Sequence, residues 1–500
     1  MSSKIVLVLL CALLLSAPYL SASLFPLAWF AFVPLFWTVV QADSWRRAVL
    51  WGWLAGFLTH LFGFFWLVYT ISVFGEFPYS ISVVVFLIYA ALQGVQMALF
   101  AVLVKRSGLG PLSVLPALFW VAIEFWFPLL FPWYLANSQA PFLTFIQSAD
   151  LVGPYGASFL VMWFNGAAFE AFLSWRLKQP VRWNGLVLVL ACAIASVAYG
   201  IVRLGTITSE TAKAPTLSLA AVQGNIGIDL KWNPLKVKGN LQSQQDLTKQ
   251  AAGVKLVIWP ESAVELWLPE DLAQLPPEVV PSLNAESFFI FGARSYRGHL
   301  SGPDFKAFNT AFLSDGKGRI LNRYHKQVLL AFGEYIPFSA ILSKLPAVPF
   351  ADGFTPGDGP HTLDLPGPVH VAPLICYEDL MPELSRAFVK SGKANVLVNL
   401  TNDAWYGRTV APWQHARLAQ WRAIETRRSL VRVTNTGVTT VIDAKGEMSE
   451  SLPLFSAAVL KAAVPVLDGE TLYVRFGDWF AWSATLISLA AILLCWKRTG

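Results

Sequence analysis

Charged residues are scarce in this 500-residue chain: Asp, Glu, Lys and Arg make up 14% of it, whereas hydrophobic residues make up 55%. Soluble domains contain about 25% charged residues, so the composition excludes an ordinary soluble protein. The chain also has 21 Trp and 36 Phe, a content that excludes a disordered, coiled-coil or collagen-like protein. The composition therefore indicates an integral membrane protein.

Cysteine is also scarce, with four residues in the whole sequence. Cys11, Cys192 and Cys495 lie in strongly apolar segments, where cysteine behaves as a small apolar residue. Cys376 is alone in a more polar region, which excludes a disulfide scaffold there. A lone cysteine of this kind is either a buried, inert residue or a retained reactive thiol.

Several signatures of ligand binding are missing. The sequence has no cluster of metal ligands and no Gly-rich phosphate loop, so we expect neither a metal nor a cofactor. Its net charge is +6, but the basic residues are divided among short loops at the ends of apolar segments. Orientation in a bilayer explains that distribution better than nucleic-acid binding does, so we expect no nucleic-acid partner.

Apolar segments of about 20 residues, enough to span a bilayer, crowd the first two hundred positions. We predict seven membrane helices there and an eighth near the C-terminus. The first resembles a signal peptide, but six more segments follow at once, so we interpret it as a retained helix. The predicted segments are 5–22, 24–40, 49–72, 79–104, 111–132, 155–175, 184–202 and 479–496.

Basic residues in the short loops predict the orientation, because cytoplasmic loops are rich in Lys and Arg. With a cytoplasmic N-terminus, the inner connections are basic, whereas the outer loops near 70–78 and 133–150 contain no Lys or Arg. We therefore predict residues 1–203 as membrane helices 1–7, 204–476 as an extracytoplasmic domain, and 477–500 as helix 8 with a cytoplasmic tail. The basic residues on the inner side are Arg46, Arg47, Lys105, Arg106, Arg176, Lys178, Arg182, Lys497 and Arg498.

Two ionisable residues, Glu124 and His60, fall inside predicted membrane helices, where charge is costly. Glu124 either makes an interior polar contact that fixes helix packing or takes part in substrate handling, and the sequence leaves both interpretations open. It gives no role for His60.

From Thr216 onward, short β-branched or aromatic runs are separated by Gly, Pro, Asn and Asp, which is typical of strands. Alternating strands and helices predict a mixed α/β layer fold. In the predicted helix 413–428 we expect four arginines on exposed faces: Arg417, Arg422, Arg427 and Arg428. We predict strands 216–223, 254–259, 286–293, 307–314, 319–325, 369–376, 395–400, 429–435 and 438–443, and helices 238–252, 378–391 and 413–428.

Cys376 follows the apolar strand 369–375, and a helix begins near Tyr377. Because a helix N-terminus favours thiolate over thiol, this cysteine is a candidate nucleophile. A nucleophile needs a base nearby and a cation or hydrogen-bond donor where negative charge develops. Candidates for both roles should also lie at strand ends.

Two residues meet that requirement. Glu261 follows the strand 256–260, and hydrophobic neighbours there would raise its pKa toward the range of a general base. Lys326 follows the strand 320–325. Taken singly, a strand-end Glu is more often a cap or surface charge, and a Lys after a strand is usually solvated. His325 should project to the opposite face of the strand from Lys326, so we expect a structural role for it.

Together these segments form an ordered pattern: a strand ending in Pro-Glu261, Lys326 followed by Phe-Gly-Glu334-Tyr, and a strand ending in Cys376-Tyr-Glu. The pattern resembles the nitrilase, or carbon–nitrogen hydrolase, superfamily over most of residues 216–465. The resemblance implies an α-β-β-α sandwich with Glu261 as general base, Lys326 as oxyanion-stabilising cation and Cys376 as nucleophile. Ala331 departs from the pattern, which has Pro before the Phe-Gly-Glu run.

With seven helices before this domain and one after it, the whole chain resembles the apolipoprotein N-acyltransferase family. That resemblance implies a bundle of eight transmembrane helices in the bacterial inner membrane, with the catalytic domain on the periplasmic side. It also implies ping-pong transfer of an acyl chain from a phospholipid, phosphatidylethanolamine, through a Cys376 thioester to the N-terminal amine of a diacylglyceryl-cysteine apolipoprotein. We expect a monomer.

The resemblance also implies supporting roles for residues around these three. Glu334 would orient Lys326 or keep it charged, with a loop cap as the alternative. Tyr377 and Glu378 would shape the oxyanion pocket or simply begin a helix. Trp232 and Trp405 would bind substrate or serve the core.

Residues 344–361 contain four prolines and three glycines around Val348, Phe350 and Phe354. We interpret them either as an ordinary surface loop or as a mobile lid whose apolar side chains dip toward the bilayer.

Two other functions fit the same pattern. A membrane-tethered amidase or nitrilase acting on a periplasmic substrate would pass the acyl group to water with the same three residues. A non-catalytic scaffold for lipoproteins would not need the thiol of Cys376.

Overall fold

The computed structural model describes residues 2–299, 302–335 and 353–496. The chain divides into two compact units. The first comprises Met1–Gly205 with Phe476–Gly500, and the second comprises Thr206–Arg475. We describe each unit by itself.

The first unit is helical. Short 3-10 helices lie at Ala22–Trp29, Pro111–Ser113 and Leu135–Gln139. The α-helices are Ser2–Leu20, Val33–Val40, Trp45–Gly63, Leu67–Phe74, Tyr79–Ser107, Leu115–Trp126, Leu143–Ile146, Ala149–Val152, Tyr155–Arg176, Asn184–Lys213 and Trp479–Trp496.

Several of these helices are long and apolar enough to span a membrane, but a count of eight is not confirmed. Five described helices pass by length and composition, and a sixth passes if the pair Trp45–Gly63 and Leu67–Phe74, bent by 67°, is one span. The predicted segment 111–132 is shorter, because Pro128 restricts Phe127 to an extended conformation and the helix ends at Trp126. Over its described part, Trp479–Leu494, the last apolar helix is also among the shorter ones.

Glu124 and His60 are both buried and bonded within the first unit. Glu124 Oε1 accepts hydrogen bonds from the Trp120 indole at 2.7 Å and from the Leu135 amide at 2.5 Å. His60 Nδ1 lies 2.9 Å from the Gly56 carbonyl oxygen. These contacts favour the interpretation in which Glu124 fixes helix packing, and they give His60 a partner within its own helix.

The second unit contains two β-sheets. Its α-helices are Val237–Thr248, Pro382–Gly392, Ala411–Thr426 and Leu472–Phe476, and its 3-10 helices are Lys249–Ala251, Cys376–Leu380 and Asp403–Tyr406. The strands are β1 (Thr216–Gln223), β2 (Leu256–Ile258), β3 (Val264–Pro269), β4 (Phe288–Arg297), β5 (Lys306–Asp315), β6 (Ile320–His325), β7 (Leu363–Leu365), β8 (Val369–Ile375), β9 (Val396–Thr401), β10 (Ser429–Thr434), β11 (Thr440–Ile442) and β12 (Ala458–Pro465).

The sheets form two central layers. One has the order β12-β1-β2-β4-β5-β6, with β3 also paired to β4, and the other has the order β11-β10-β9-β8-β7. A shared apolar core joins β1, β2, β4 and β5 to β8, β9 and β10. The opposite face of the first sheet packs against helix Val237–Thr248, and helices Pro382–Gly392 and Ala411–Thr426 pack on the second sheet. The α/β part of the predicted fold class is therefore confirmed.

Three strands, β3, β7 and β12, were not predicted from the sequence. Strand β3 contains an irregular register and ends in a proline, β7 has three residues, and β12 is half-exposed along most of its length. The other nine were identified as short β-branched or aromatic runs separated by Gly, Pro, Asn and Asp, whereas β7 is only Leu-Asp-Leu and β12 is rich in alanine.

The expectation of exposed arginines near helix Ala411–Thr426 is wrong for three of the four. Arg422, Arg427 and Arg428 are 2–4% exposed, and Arg417 is half-buried. The guanidinium of Arg422 donates to the Leu380 carbonyl at 2.8 Å, and Arg428 donates to Ala394 at 2.8 Å. Bonds to main-chain carbonyls satisfy these side chains inside the unit.

Gly292 on β4 packs closely against the main chain of Glu261 and Ser262, which lie just beyond β2. A methyl group there would lie 2.6 Å from Ser262 N and 2.7 Å from Glu261 Cα. We expect Gly292→Ala to lower the free energy of unfolding by about 1–3 kcal/mol, because main chain must shift to admit it. Thermal unfolding followed by Trp fluorescence measures the change. Gly239→Ala, in an exposed helical turn with no atom within 4 Å, should be neutral or stabilising; equal destabilisation by both would contradict the steric argument.

Candidate active site

Glu261 lies just beyond β2 and is 8% exposed. Its Oε1 accepts a hydrogen bond from Asn309 Nδ2 at 2.9 Å, and its Oε2 accepts one from the Asn402 amide at 3.0 Å. Burial raises the pKa of Glu261, the positive charge of Lys326 lowers it, and the negative charge of Glu334 raises it again, so that the net shift is upward. An oriented carboxylate with increased proton affinity suits a general base.

Lys326 follows β6 and is 2% exposed. Its Nζ lies 2.7 Å from Glu334 Oε2 and 4.0 Å from Glu261 Oε1. Burial alone would lower the pKa of Lys326, but the carboxylates of Glu334 and Glu261 outweigh it and raise the pKa above its usual value. The side chain is therefore a permanent buried cation, which suits the stabilisation of an oxyanion.

Asn309 on β5 is a site residue that the sequence analysis missed. Its Nδ2 donates to Glu261 Oε1 and to Glu334 Oε1, both at 2.9 Å. Its main-chain carbonyl accepts a hydrogen bond from the Lys326 amide at 2.8 Å. The available signal was an asparagine within an apolar strand, since such a side chain must find buried partners.

Cys376 occupies the turn after β8, with a left-handed φ of 53°. Its carbonyl accepts a hydrogen bond from Asn399 Nδ2 at 3.0 Å. The helix that follows is divided into a 3-10 turn, Cys376–Leu380, and helix Pro382–Gly392. A non-glycine residue in this conformation is strained and must be held by its surroundings, as is frequent at functional turns.

The expectation that the helix N-terminus favours the thiolate of Cys376 is wrong. Burial and the negative charge of Glu261 raise the pKa of this thiol, and the opposing effect of Lys326 is smaller. The resting side chain is therefore a neutral thiol that needs a base. Since the charges of Glu261 and Lys326 both act on the thiol, the structure brings the three predicted residues into one electrostatic cluster.

Glu378 links the nucleophile turn to the lysine segment. Its Oε2 accepts from the Ile375 amide at 2.8 Å, and its Oε1 accepts from the Tyr324 hydroxyl at 2.9 Å and the Gln327 amide at 2.6 Å. Burial raises its pKa to about 7, against the opposing effect of the Ile375 hydrogen bond. Glu378 is therefore placed to position Cys376 and Lys326. Tyr377 is buried beside it in the 3-10 turn.

The two predicted tryptophans lie in different surroundings. Trp232 has a left-handed φ of 68°, and the Arg294 guanidinium covers its ring at 3.5 Å. Trp405 is half-buried in the 3-10 turn Asp403–Tyr406. As expected, His325 faces elsewhere: its ring stacks on Phe308 with centroids 4.3 Å apart.

The second half of the predicted lid contacts the site through its main chain. The Phe354 amide donates to the Glu334 carbonyl at 3.0 Å, and the Gly357 amide donates to the Lys326 carbonyl at 2.9 Å. Residues 344–352, which include Val348 and Phe350, lie outside the described residues, so the lid stays a prediction. In the described part of the chain, no group of three His, Cys, Asp or Glu is placed to hold a metal.

A buried network of four charged side chains behind Cys376 also escaped prediction. His415 Nε2 lies 2.9 Å from Asp379 Oδ1, and its Nδ1 lies 3.2 Å from Asp403 Oδ1. Arg432 pairs with both aspartates, at 3.0 Å to Asp403 Oδ2. All four are at most 4% exposed. Arg432 Nη2 also lies 2.9 Å from His415 Nδ1, and its repulsion of a protonated ring is outweighed by Asp379 and Asp403. With His415 protonated, two cations balance two carboxylates.

This network supports the nucleophile turn. Arg432 donates to Asn399 Oδ1 at 3.0 Å, and Asn399 Nδ2 donates to the carbonyls of Cys376 at 3.0 Å and Leu374 at 3.2 Å. A continuous chain of hydrogen bonds thus runs from the buried charges to the main chain of the strained cysteine.

The charge of His415 should make stability depend on pH. Burial and Arg432 lower its pKa, but Asp379 and Asp403 raise it more, and the net shift is upward. A raised pKa in the folded state gives a contribution that is complete below the unfolded pKa, about 6.5, and is lost as pH rises through the folded pKa. We expect His415→Gln to lose this dependence and about 3 kcal/mol at pH 6.

Unfolding midpoints measured at a series of pH values test this expectation. His299→Gln is the control, because that side chain is 92% exposed. If the His415 variant followed the same pH curve as the parent protein, the charge assignment would be wrong.

Comparisons with known proteins cover nearly the whole chain. Residues 11–167 match the apolipoprotein N-acyltransferase N-terminal domain, and residues 218–471 match the carbon-nitrogen hydrolase family. An amidase of the nitrilase superfamily from Nesterenkonia has a similar structure, with a TM-score of 0.38 and 19% identity, over 54% of this chain and 97% of the amidase.

Two named relatives are similar to the chain from end to end. The apolipoprotein N-acyltransferase of Geobacter metallireducens is 32% identical over 98% of this chain and 94% of its own length. That of Azotobacter vinelandii is 33% identical over 97% of this chain and 92% of its own length. The chain belongs to the apolipoprotein N-acyltransferase family.

Proposed function

We propose that this protein transfers an acyl chain from a membrane phospholipid to the N-terminal amino group of an S-diacylglyceryl-cysteine apolipoprotein, through a thioester on Cys376. The observation that carries the proposal is the buried cation Lys326 between Glu334 and Glu261, with a neutral thiol in the same electrostatic cluster. Family membership over nearly the whole chain supports the acyl-transfer reaction rather than hydrolysis.

In the first half-reaction, Glu261 takes the proton of the Cys376 thiol, and the sulfur attacks the ester carbonyl of the phospholipid. The oxyanion that forms is stabilised by Lys326. Collapse breaks the carbon–oxygen bond, and the proton on Glu261 passes to the departing oxygen of the lysophospholipid. The acyl chain remains on Cys376 as a thioester.

In the second half-reaction, the α-amine of the apolipoprotein attacks the thioester, and Glu261 removes a proton from the nitrogen. Lys326 again stabilises the oxyanion. The carbon–sulfur bond breaks, the sulfur recovers the proton from Glu261, and the product is an amide. Because the first product leaves before the acceptor reacts, the kinetics should be ping-pong.

Both proposed substrates carry acyl chains within one leaflet of a bilayer. We infer a catalytic domain at residues 204–476 on the periplasmic side of the bacterial inner membrane, between membrane segments 1–203 and 477–500. Lateral entry then avoids lifting acyl chains into water, at about 0.8 kcal/mol per CH₂. Phosphatidylethanolamine as donor, cytoplasmic termini and a monomeric state belong to the same proposal.

The alternative is a membrane-tethered amidase or nitrilase that passes the acyl group to water. One helix would suffice as a tether, whereas five or six described helices are apolar and long enough to cross a membrane. Labelled phospholipid and a diacylated lipopeptide distinguish the two functions. Release of free fatty acid with no N-acylated peptide would favour the hydrolase.

Incubation with phosphatidylethanolamine alone should add the mass of one acyl chain to Cys376, because no acceptor amine is present to remove it. Intact-protein mass spectrometry and peptide mapping measure the adduct. Cys376→Ala should show none. Cys192→Ala is the control, since that free cysteine lies in helix Asn184–Lys213, and its adduct should persist. An acyl mass mapped to another residue would overturn the assignment of the nucleophile.

The rate of thioester formation should fall as pH decreases through the raised pKa of Glu261, because a protonated Glu261 cannot accept the thiol proton. Glu334→Gln removes a negative charge that raises this pKa, so the acid limb should move to lower pH. The maximum rate should also fall, by roughly 10-fold to 100-fold, since Lys326 loses its partner at 2.7 Å.

Single-turnover rates across pH separate these two effects. Glu270→Gln serves as the control, because Glu270 pairs with Arg297 and His325 instead of Lys326. An acid limb that stayed in place in the Glu334 variant would reject the electrostatic role of Glu334.

A further inference from the structure

Lys231 is a buried lysine that the reaction described above does not use. It lies in the turn after β1 and is 4% exposed. Its Nζ has no hydrogen-bond partner among the described residues. Burial lowers its pKa to about 8, despite the opposing effects of Glu265 and Glu261, so the side chain is still largely charged at neutral pH. A buried ammonium without a partner is costly, which raises the question of what it binds.

Its neighbours form a small charged group, here called the Lys231 cluster: Lys231, Trp232, Glu265 and Arg294. Lys231 Nζ lies 5.5 Å from the Trp232 ring centroid, and the Arg294 guanidinium lies 3.5 Å from it. The two oxygens of Glu265 accept from the Trp232 amide at 2.8 Å and from Asn240 Nδ2 at 2.9 Å. The carboxylates of Glu265 and Glu261 both act on the charge of Lys231, but neither lies within hydrogen-bond distance of its Nζ.

The cluster lies beside the proposed general base. Gly292 on β4 packs against the main chain of Glu261, and Arg294 is two residues further along the same strand, on the same face of the sheet. Strand β3, which carries Glu265, pairs with β4 at this point. The charge of Lys231 also acts on Glu261 directly.

We propose that the Lys231 cluster binds the phosphodiester of the acyl donor next to Glu261. This inference rests on the proposed function. A phosphodiester carries one negative charge, and its oxygens accept charge-assisted hydrogen bonds from an ammonium group such as the buried Nζ of Lys231. The lipid thus supplies the partner that Lys231 Nζ lacks.

The two lipid substrates differ in this respect. A diacylglyceryl-cysteine peptide carries no phosphate, so the cluster recognises the donor and not the acceptor. Loss of Lys231 should therefore impair thioester formation from a phospholipid far more than the transfer from a preformed thioester to an amine, which it affects only through the charge that acts on Glu261.

Single-turnover thioester formation by the full-length protein in detergent tests the proposal with two donors of equal acyl chains, phosphatidylethanolamine and diacylglycerol. The parent protein should prefer the phospholipid. Lys231→Met should raise KM for the phospholipid by roughly 10-fold to 100-fold and change the rate with diacylglycerol far less, and Lys231→Arg should retain most of the preference. Lys249→Met is the matched control, because Lys249 is exposed and paired with Asp246.

The outcomes are distinct. An equal loss with both donors would show that Lys231 acts through Glu261 or through folding, and would overturn the proposal. Glycerophosphoethanolamine should inhibit the parent protein more than the Lys231 variant. If inorganic phosphate inhibited as strongly as this headgroup, the cluster would be a site for free phosphate, and the lipid assignment would be wrong. Failure of the parent protein to form a thioester with either donor would instead reject the proposed function.

Discussion

The contact between the Lys326 ammonium and the Glu334 carboxylate, 2.7 Å apart in the interior, is the interaction on which the rest of the site depends. A buried cation must be neutralised and its partners must be hydrogen-bonded. Asn309 meets the second requirement for Glu334 and Glu261 together. These contacts therefore hold Glu261 after β2, Asn309 on β5 and Lys326 after β6 in one arrangement.

The same charges determine the chemistry. Lys326 and Glu261 act on the thiol of Cys376 with opposite sign, and burial adds to the effect of the carboxylate, so the resting sulfur keeps its proton. A neutral thiol is less exposed to oxidation than a thiolate. The nucleophile forms only when Glu261 accepts the proton, which couples the activation of the sulfur to the protonation of the base.

Sequence patterns located nine of the twelve strands in the described residues. Glu261, Lys326 and Cys376 were weak candidates singly, and only their ordered resemblance to the nitrilase superfamily selected them together. The buried charges behind Cys376 could not be found in this way. Asp379, His415 and Arg432 come from three separate elements, and their pairing exists only once the second sheet and its helices have assembled. The expectation of surface arginines was wrong for the same reason, because buried main-chain carbonyls can also accept the hydrogen bonds of long basic side chains. Within the membrane unit, hydropathy located the apolar segments but not the bend after Gly63 or the early end at Trp126.

Residues 354–357, in the C-terminal half of the predicted lid, are held to the site by two main-chain hydrogen bonds. The Phe354 amide donates to the Glu334 carbonyl, and the Gly357 amide donates to the Lys326 carbonyl. Amide groups are present in every residue except proline, so the bond from position 354 does not depend on the identity of its side chain. Position 357 differs, because a Cβ atom there would lie 2.3 Å from the main-chain oxygen of His325. The two bonds therefore constrain the sequence differently: position 354 excludes proline, whereas position 357 favours glycine.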